Sequence, residues 1–355
     1  MIIRHATIED RERWDDFVKE NDTGGFTQSW EWGDFLNTQN EKIWRLIVED
    51  DPPSSRRLAG LRRGTCLAVM FLFKSVAKMG QSILYAPRGP VVNDQIPMTN
   101  DQSMTNDQCW RLIVEEVDKI AKEEGAMAFQ VDPFSEDKSW CGIFDELGFV
   151  KCERDILPRH TLMLDLRGDE ENLLKQMHEK TRYNIGVAKK HGVEIVADNL
   201  MFKEFHELLK KTEARQKVKF YGQNYFKELL KVPFAKLYVA KLDGKIIAAN
   251  IIICWDNTAT YLFGASDHDF RNVMAPYLLQ WQAIKDAKRD WFWFYDFWGV
   301  APESSTGKLE NWAGFTKFKM GFSPNAEIVE YVGTYEKIYQ PIQLGIYRFL
   351  QKMFK

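Results

Sequence analysis

The sequence predicts an α/β protein made of two tandem copies of one unit. At 355 residues the chain is long enough for about two domains of ordinary size. A hairpin, a helix and a strand that ends in aspartate follow one another twice, finishing once at Asp132 and once at Asp296. We therefore expect one unit over residues 1–160, completed by the C-terminal segment 331–355, and a second over residues 161–330.

The first half of the chain carries clear helix and strand patterns. Helices are expected at 7–20, 26–37 and 108–124, and strands at 44–50, 64–76, 81–92 and 126–134. The third helix has an apolar stripe of Trp110, Ile113, Val114, Val117, Ile120 and Ala121. The segment MTNDQ occurs at 98–102 and again at 104–108. A duplicated run of turn-forming residues indicates a loop insertion.

The second half repeats the plan. Helices are expected at 172–190, 202–217, 225–230 and 276–288, and strands at 193–196, 235–242, 246–255, 258–266 and 291–297. Proline suits the first position of a helix, so Pro276 marks the start of the last one. Asp243-Gly244 predicts a tight turn between two strands. The run WFWFYDF at 291–297 is typical of one buried strand.

Composition limits the class of protein. A net charge of −3 excludes a wholly basic nucleic-acid-binding protein, so any such contact needs a local patch, and no DNA partner is expected. The five cysteines form no CxxC pair, which is typical of reduced thiols in the cytosol. The charged N-terminus lacks a signal-peptide pattern, and no apolar run is long enough to span a bilayer. The six histidines show no metal-ligand spacing. We expect a cytoplasmic protein without a metal site.

Two motifs near the end of the chain carry the chemistry. In YDFWGV at 295–300, Asp296 interrupts an apolar strand, and a buried carboxylate is costly unless it is paired or used. In GFTKFKMGF at 314–322, Lys319 lies between aromatic neighbours. A core strand with one satisfied carboxylate is the simpler explanation of the first motif.

Coenzyme A is disfavoured as a ligand. Acyl-CoA transferases hold pyrophosphate at a glycine-rich turn before a helix. The matching turn at 268–279 has no glycine, and Pro276 removes a donor. The sequence also lacks a GxSxG or Cys/His signature, which disfavours covalent catalysis.

Five blocks give the chain a resemblance to a known family. They are YAPRGPVV at 85–92, KTRYNIGVAKKHGVEI at 180–195, GASDHDFRNVMAPYLLQWQAIKDAK at 264–288, YDFWGV and GFTKFKMGF. Together they resemble the Fem family of aminoacyltransferases, which build peptidoglycan interpeptide bridges, and most resemble the compact FemX form. The resemblance implies two tandem GNAT-like domains, with mixed sheets flanked by helices and no coiled-coil arm. It also implies aminoacyl-tRNA as co-substrate, no other cofactor, and lipid II or a UDP-linked muropeptide as acceptor.

The resemblance also assigns site residues. Lys319 matches a lysine that stabilises the reacting carbonyl, and Phe318 matches its neighbour. Asp132 matches a cleft-facing aspartate at the end of the first-unit strand. Chemically it could orient the attacking ammonium or accept its proton, or it could simply cap a proline turn. Tyr225 matches a tyrosine that holds the nucleotide–sugar part of the acceptor. Asp296 and Trp298 are further candidates for substrate binding.

Three other positions bear on the acceptor. Arg88 could pair with a diphosphate through two hydrogen bonds, or brace the PRGP turn. Leu36 and Tyr221 stand where compact members have a lysine and an arginine that contact the UDP diphosphate. These departures favour lipid II over a UDP-linked acceptor.

A basic segment is the candidate tRNA site. Residues 172–190 contain five cations against one Glu, with Tyr183 among them. We expect Lys180, Arg182, Lys189 and Lys190 to contact phosphates, with an ordinary solvated face as the alternative.

Two other functions are compatible with the sequence. One is an acyl-CoA-dependent N-acyltransferase, which the missing glycines disfavour. The other is a non-catalytic muropeptide- or tRNA-binding protein on the same scaffold, which Leu36 and Tyr221 keep open.

The tail after Pro341 predicts an amphipathic helix. Its apolar residues are Ile342, Ile346, Phe349, Leu350, Met353 and Phe354, beside Arg348, Lys352 and Lys355. Such a helix could lie on the inner membrane leaflet. We expect instead that the apolar face packs on the first unit.

Overall fold

The computed structural model describes residues 1–39, 41–50, 64–76, 80–93, 100–136, 140–216, 220–301, 313–326 and 328–353. The sequence also predicts a Pro/Ser/Arg turn at 52–57 and a polar loop at 302–311. Both segments, and the tail residues Phe354 and Lys355, lie outside these ranges. The chain divides into unit 1, residues 1–159 with 331–355, and unit 2, residues 160–330.

Unit 1 is built on one mixed sheet. Its strands are β1 (Ile2–His5), β2 (Lys42–Glu49), β3 (Cys66–Val76), β4 (Ser82–Arg88), β5 (Val91–Val92), β6 (Ala126–Pro133), β7 (Phe149–Lys151) and β15 (Tyr335–Ile338). The order is β1-β2-β3-β4-β6-β15-β7, with β5 beside β3. In the described part of this sheet only β4 and β6 run parallel. A helical crossover joins these two strands, as parallel pairing requires.

The helices of unit 1 share its core with the sheet. They are α1 (Arg11–Glu20), α2 (Trp30–Thr38), α3 (Asn100–Glu124), α4 (Trp140–Glu146) and α11 (Pro341–Met353). All six residues of the predicted stripe on α3 are buried, which confirms the helical pattern. Gly125 ends α3 with a φ of 61°, a backbone conformation that glycine adopts without strain.

The duplicated MTNDQ segment is not simply a loop. The helix α3 begins at Asn100, so most of the first copy and all of the second copy are helical. The expected loop insertion is therefore wrong for this part. Extending an existing helix costs little free energy, since each residue added after nucleation gains one hydrogen bond.

Unit 2 repeats the mixed architecture. Its strands are β8 (His160–Asp165), β9 (Glu194–Ala197), β10 (Ala235–Leu242), β11 (Lys245–Trp255), β12 (Thr258–Ser266), β13 (Phe294–Gly299) and β14 (Ile328–Glu330). They lie in the order β14-β8-β13-β12-β11-β10-β9. In the described part of this sheet, β12 and β13 form the parallel pair. Mixed sheets flanked by helices confirm the predicted α/β class.

The predicted helix at 172–190 is two helices. The helices of unit 2 are α5 (Glu170–Gln176), α6 (Glu179–Lys190), α7 (Phe202–Gln216), α8 (Gln223–Leu229), α9 (Ala275–Arg289) and α10 (Ala313–Met320). Met177 is extended, with a ψ of 151°, and breaks the segment. Nδ1 of His178 then accepts a hydrogen bond from the backbone N–H of Lys180 and caps α6. No coiled-coil arm occurs in the described residues of unit 2.

The predicted strand at 291–297 starts later than expected. The strand β13 begins at Phe294, and Trp291 and Trp293 before it are 87% and 54% exposed. Trp291 has a φ of 66° directly after α9, where glycine is the usual residue. The aromatic run therefore divides into an exposed turn and a buried strand.

The C-terminal segment completes unit 1 through β15 and α11. The strand β15 pairs with β6 on one side and with β7 on the other. Leu344 of α11 is buried against Met127 and Ala128. Of the six apolar residues expected to pack inward, Ile342, Ile346, Phe349 and Met353 are exposed, Leu350 is half-buried, and Phe354 lies outside the described ranges. The helix packs on unit 1 as expected, but the predicted face is wrong. A different face of α11, with Leu344 at its centre, makes the contact.

Neither a membrane span nor a disulfide is found in the described part of the chain. Within the ranges given above, no helix is long and apolar enough to cross a membrane. The four cysteines with described side chains are free thiols.

Candidate active site

The candidate site in unit 2 begins where two parallel strands stop pairing. The ladder between β12 and β13 joins Thr258–Thr260 to Phe294–Asp296. Both strands continue, but the ladder ends at the Thr260–Asp296 pair. Where parallel pairing ends, the backbone N–H and C=O groups of both strands need other hydrogen-bond partners.

Asp296 fixes the backbone just beyond that point. Its Oδ1 accepts hydrogen bonds from Oγ1 of Thr161 and, at 2.7 Å, from the backbone N–H of Trp298. Trp298 has a φ of 58°, which is strained for a tryptophan. The register with β8 shifts between Asp296 and Gly299, and this irregularity redirects the chain. We therefore interpret the Asp296 carboxylate as a group that positions this turn.

Lys319 of α10 lies against the same turn. Its Nζ donates a 2.7 Å hydrogen bond to the carbonyl oxygen of Gly299. The Nζ atom lies 4.0 Å from the ring centre of Phe315 and 5.5 Å from that of Tyr261. Aromatic faces attract a cation, and the carbonyl accepts one of its protons. We call Lys319, Gly299, Phe315 and Tyr261 the lysine site.

Burial changes the acidity of the lysine. The residue is only 2% exposed, although lysine is almost never fully buried without a partner. Desolvation lowers the pKa of Lys319 to about 7, and the negative charge of Asp296 opposes that shift. Protonated and neutral forms are therefore both populated near neutral pH. Such a shift inside a polar cluster is typical of functional sites.

Sequence reasoning missed three members of the lysine site. Phe315 precedes Lys319 by four residues, so the two share one face of a helix, and this spacing could have revealed the contact. Tyr261 and the carbonyl of Gly299 are distant in sequence and gave no signal. Phe318, which we expect to bind substrate, is partly buried and packs against Tyr277 and Phe322 beside the core of unit 2, and its role stays a prediction.

Asp132 lies in a separate cluster in unit 1. Its Oδ1 accepts a 2.8 Å bond from the backbone N–H of Arg88. Its Oδ2 accepts bonds from the hydroxyl of Tyr85 at 2.8 Å and from the backbone N–H of Leu157 at 3.3 Å. Burial raises its pKa, while the Arg88 guanidinium and these donors oppose the shift. Three donors hold the carboxylate, so its proposed role as a base stays a prediction.

Arg88 braces its turn. The residue is 2% exposed and has a φ of 55°. Its Nη2 donates to the carbonyl oxygen of Pro158 at 2.6 Å, and its Cζ lies 4.3 Å from the ring centre of Tyr331. Of the two alternatives for Arg88, this arrangement favours bracing. A diphosphate contact would require the guanidinium to leave these partners.

Tyr225 forms part of an aromatic platform. Its ring stacks on that of Tyr221 with centres 3.8 Å apart and planes inclined by 9°. Both rings meet the edge of Phe263 at 6.3 Å. Tyr221 is 56% exposed, so the platform presents a flat aromatic surface to solvent. The residue that departs from the compact family pattern thus covers the predicted acceptor tyrosine.

The basic helix α6 exposes all four of its predicted cations. Lys180, Arg182, Lys189 and Lys190 are exposed, and Tyr183 is 70% exposed. Arg182 also makes structural contacts, because its Nη1 donates to the carbonyl oxygens of Lys175, at 3.0 Å, and Met177. These bonds satisfy the end of α5, so Arg182 has a structural role that the sequence did not indicate.

Within each unit, the predicted residues form distinct groups. Asp296 and Trp298 join Lys319 beside one turn of unit 2, and Tyr225 belongs to the aromatic platform of the same unit. Asp132 and Arg88 share a cluster in unit 1. Among the residues with described positions, no group of His, Cys, Asp or Glu side chains could hold a metal ion.

Comparisons with known proteins identify relatives. A model of the FemAB family matches residues 147–245 and 234–352, together more than half of the chain. A lipid II:glycine glycyltransferase of Staphylococcus aureus (strain MRSA252) is 28% identical over an alignment of 247 residues that covers 65% of this chain and 53% of that protein. The chain thus spans about half the length of the curated relatives it matches.

Solved structures share the fold. A FemX crystal structure matches 98% of this chain and 99% of its own, with a TM-score of 0.78 and 20% identity. The C-terminal domain of a putative lysylphosphatidylglycerol synthetase from Agrobacterium fabrum matches 95% of both chains, with a TM-score of 0.56 and 15% identity. A tandem GNAT protein from the clavulanic acid pathway has a TM-score of 0.53, covers 94% of this chain and 97% of its own, and is 10% identical. The tandem GNAT-like fold is therefore confirmed.

Proposed function

Because the chain belongs to the FemAB family, we propose that it moves an aminoacyl group from aminoacyl-tRNA to the stem-peptide amine of a peptidoglycan precursor. The observation that carries this proposal is the lysine site. The buried amino group of Lys319 lies beside the end of the parallel ladder, held by one carbonyl and two aromatic rings. The curated relatives are named lipid II:glycine glycyltransferases, which supports the same reaction class.

The reaction is an ester aminolysis. The neutral amine of the acceptor attacks the ester carbonyl, an amide bond forms, and the bond to the tRNA ribose oxygen breaks. The amine loses one proton and the leaving oxygen gains one. Since an aminoacyl ester is already activated, orientation of the two reactants supplies much of the rate, up to about 7–11 kcal/mol in favourable systems.

Lys319 is proposed to stabilise the oxyanion of the tetrahedral intermediate. An ammonium has three N–H donors. Within the part of the chain that the structure describes, Gly299 accepts one of them. The remaining donors can therefore meet an oxyanion without breaking this bond. In a water-poor site one such donor contributes about 3–4 kcal/mol.

The lowered pKa of Lys319 also suits this residue to a second role, that of a proton donor. An acid with a pKa of about 7 transfers protons efficiently near neutral pH. Lys319 is therefore also suited to protonate the leaving ribose oxygen as the tetrahedral intermediate collapses. An ordinary surface lysine would hold its proton too tightly for this step.

The acceptor is proposed to be lipid-linked. Tyr221 and Leu36 replace the basic residues that contact the UDP diphosphate in compact members. In place of such a cation, the stacked rings of Tyr221 and Tyr225 offer an apolar face. A flat aromatic face suits the ring of a sugar better than it suits a diphosphate. This feature and the names of the curated relatives support lipid II.

The aminoacyl-tRNA is proposed to use helix α6. Lys180, Lys189 and Lys190 are exposed there, and Tyr183 provides a surface for stacking. No other cofactor is part of the proposed reaction. Since charged tRNA is a cytoplasmic substrate, we place the reaction in the cytoplasm, at the leaflet that carries the acceptor.

The acyl-CoA alternative has less support. In the turn before α9, Met274 has a φ of 60°. Pro276 then occupies one of the first two positions of α9 itself. Proline lacks the N–H that would face a pyrophosphate. A thermal shift with coenzyme A but none with charged tRNA would favour this alternative.

The deciding experiment is an assay of turnover. The protein is incubated with charged total tRNA and lipid II, and the products are weighed by mass spectrometry. A product heavier by one aminoacyl residue, absent with uncharged tRNA, is the expected result. Binding of both substrates without any product would favour the non-catalytic alternative.

A further inference from the structure

One face of helix α11 is apolar and exposed to solvent. Its members are Ile342, Ile346, Phe349 and Met353, which are 75%, 52%, 63% and 62% exposed. The spacing of four, three and four residues places them on a single face. We call this set the outer stripe. A contiguous patch of large, exposed apolar side chains is typical of a surface that binds a protein or a membrane.

The helix cannot simply turn this stripe inward. Leu344, 2% exposed, anchors it against Met127 and Ala128. The guanidinium of Arg348 pairs with Glu336 of β15, whose carboxylate is nearly buried. Rotation would break this ion pair and leave a buried charge, which is strongly destabilising. The outer stripe therefore faces solvent because the other side of the helix is anchored.

Charge and size restrict what can cover the outer stripe. The sequence from 341 to 355 contains Arg348, Lys352 and Lys355 and no acidic residue. Since Glu336 pairs with Arg348, the sequence leaves Lys352 and Lys355 as the excess positive charge of this segment. A stable dimer interface needs roughly 20–30 residues from each partner, whereas the stripe supplies four. An anionic lipid surface needs only an apolar face flanked by cations.

We propose that the outer stripe binds the surface of an anionic phospholipid bilayer, with α11 lying in the plane of the membrane. In this position the apolar side chains enter the boundary between headgroups and acyl chains. One short helix binds weakly and reversibly, and its affinity falls as salt screens the cations. The contact would hold the protein at the surface where a lipid-linked acceptor is found. Vesicle binding needs neither substrate, so it is tested separately from the proposed transfer reaction.

The test uses the full chain and sedimentation with vesicles. Vesicles of phosphatidylglycerol and phosphatidylcholine are compared with vesicles of phosphatidylcholine alone. The double variant Ile346→Gln, Phe349→Gln should lower binding to the anionic vesicles by about tenfold or more. Its melting temperature should stay within a degree or so of the parent, because both side chains are exposed. The single variant Ile342→Gln should give a smaller loss.

The matched control is Trp291→Gln. This tryptophan is 87% exposed but lies in unit 2, away from the outer stripe in sequence. The control should bind vesicles like the parent. If the control lost as much vesicle binding as the double variant, the proposal would be overturned, because binding would then not depend on the outer stripe. The proposal would also be overturned if the parent did not bind anionic vesicles. The same holds if light scattering showed that the parent is a dimer and the double variant a monomer.

Discussion

The ammonium of Lys319 donates to the carbonyl oxygen of Gly299, twenty residues earlier in the chain and on the far side of a strand irregularity. This bond joins helix α10 to the end of β13. It holds a charge in a place that is nearly closed to water. Both the proposed chemistry and a measurable cost in stability follow from it.

Replacing Lys319 should impair the reaction. Lys319→Met removes the charge and keeps much of the volume, so turnover should fall by about a hundredfold or more while acceptor affinity stays nearly constant. Single-turnover kinetics with charged tRNA measure the effect. The matched control is Lys317→Met, which removes an exposed lysine from the same helix. Parent-like turnover in Lys319→Met would exclude the proposed role.

The same substitution should stabilise the protein. The pKa of Lys319 is lowered to about 7, below its unfolded value, so between pH 7 and 10 the unfolded chain binds more protons than the folded one. The contribution of Lys319 to the free energy of unfolding therefore rises with pH in that window, by about 1.4 kcal/mol per pH unit. Lys319→Met should raise the melting temperature, and by more at pH 6 than at pH 9. A lower melting temperature at both values would contradict the lowered pKa.

The basic helix should determine the salt dependence of tRNA binding. Changing Lys180 and Lys190 to Ala should reduce the slope of log affinity against log salt by roughly one for each phosphate that is no longer neutralised. Arg182→Ala should instead lower the melting temperature, since its guanidinium satisfies the carbonyls at the end of α5. Titrations at several salt concentrations separate the two effects. An unchanged slope in the double variant would place the tRNA elsewhere.

The aromatic platform should determine the choice of acceptor. Tyr221→Arg restores the cation of compact members and should increase affinity for a UDP-linked muropeptide by about tenfold, as one charged hydrogen bond can do. Affinity for lipid II should not increase. Calorimetry with both acceptors measures the difference. Tyr221→Phe keeps the stacked ring and serves as the control. Equal gains for both acceptors would show that the position does not distinguish them.

Local patterns predicted much of the fold. The stripe on α3 from Trp110 to Ala121 is buried as expected, and Asp243-Gly244 forms the expected turn with positive φ at both residues. These features depend on periodicity and on backbone preference, which the sequence carries directly. The family resemblance of the sequence motifs also agrees with the family match.

Other features depend on contacts that the sequence does not show. The apolar face of α11 was expected to pack inward, but Leu344 and Arg348 anchor another face. In the lysine site, Phe315 could be inferred from its helical spacing to Lys319. The carbonyl of Gly299 could not, because its direction depends on the turn that Asp296 fixes.

The position of β15 also determines when unit 1 can form. This strand lies between β6 and β7, yet it is synthesised after the whole of unit 2. Until the ribosome has released it, β6 and β7 lack the partner that joins them, and each has an open edge that another chain could pair with. Unit 2, which is continuous in sequence, can fold during that interval. The fold thus makes a segment that is translated after unit 2 a requirement for completing unit 1.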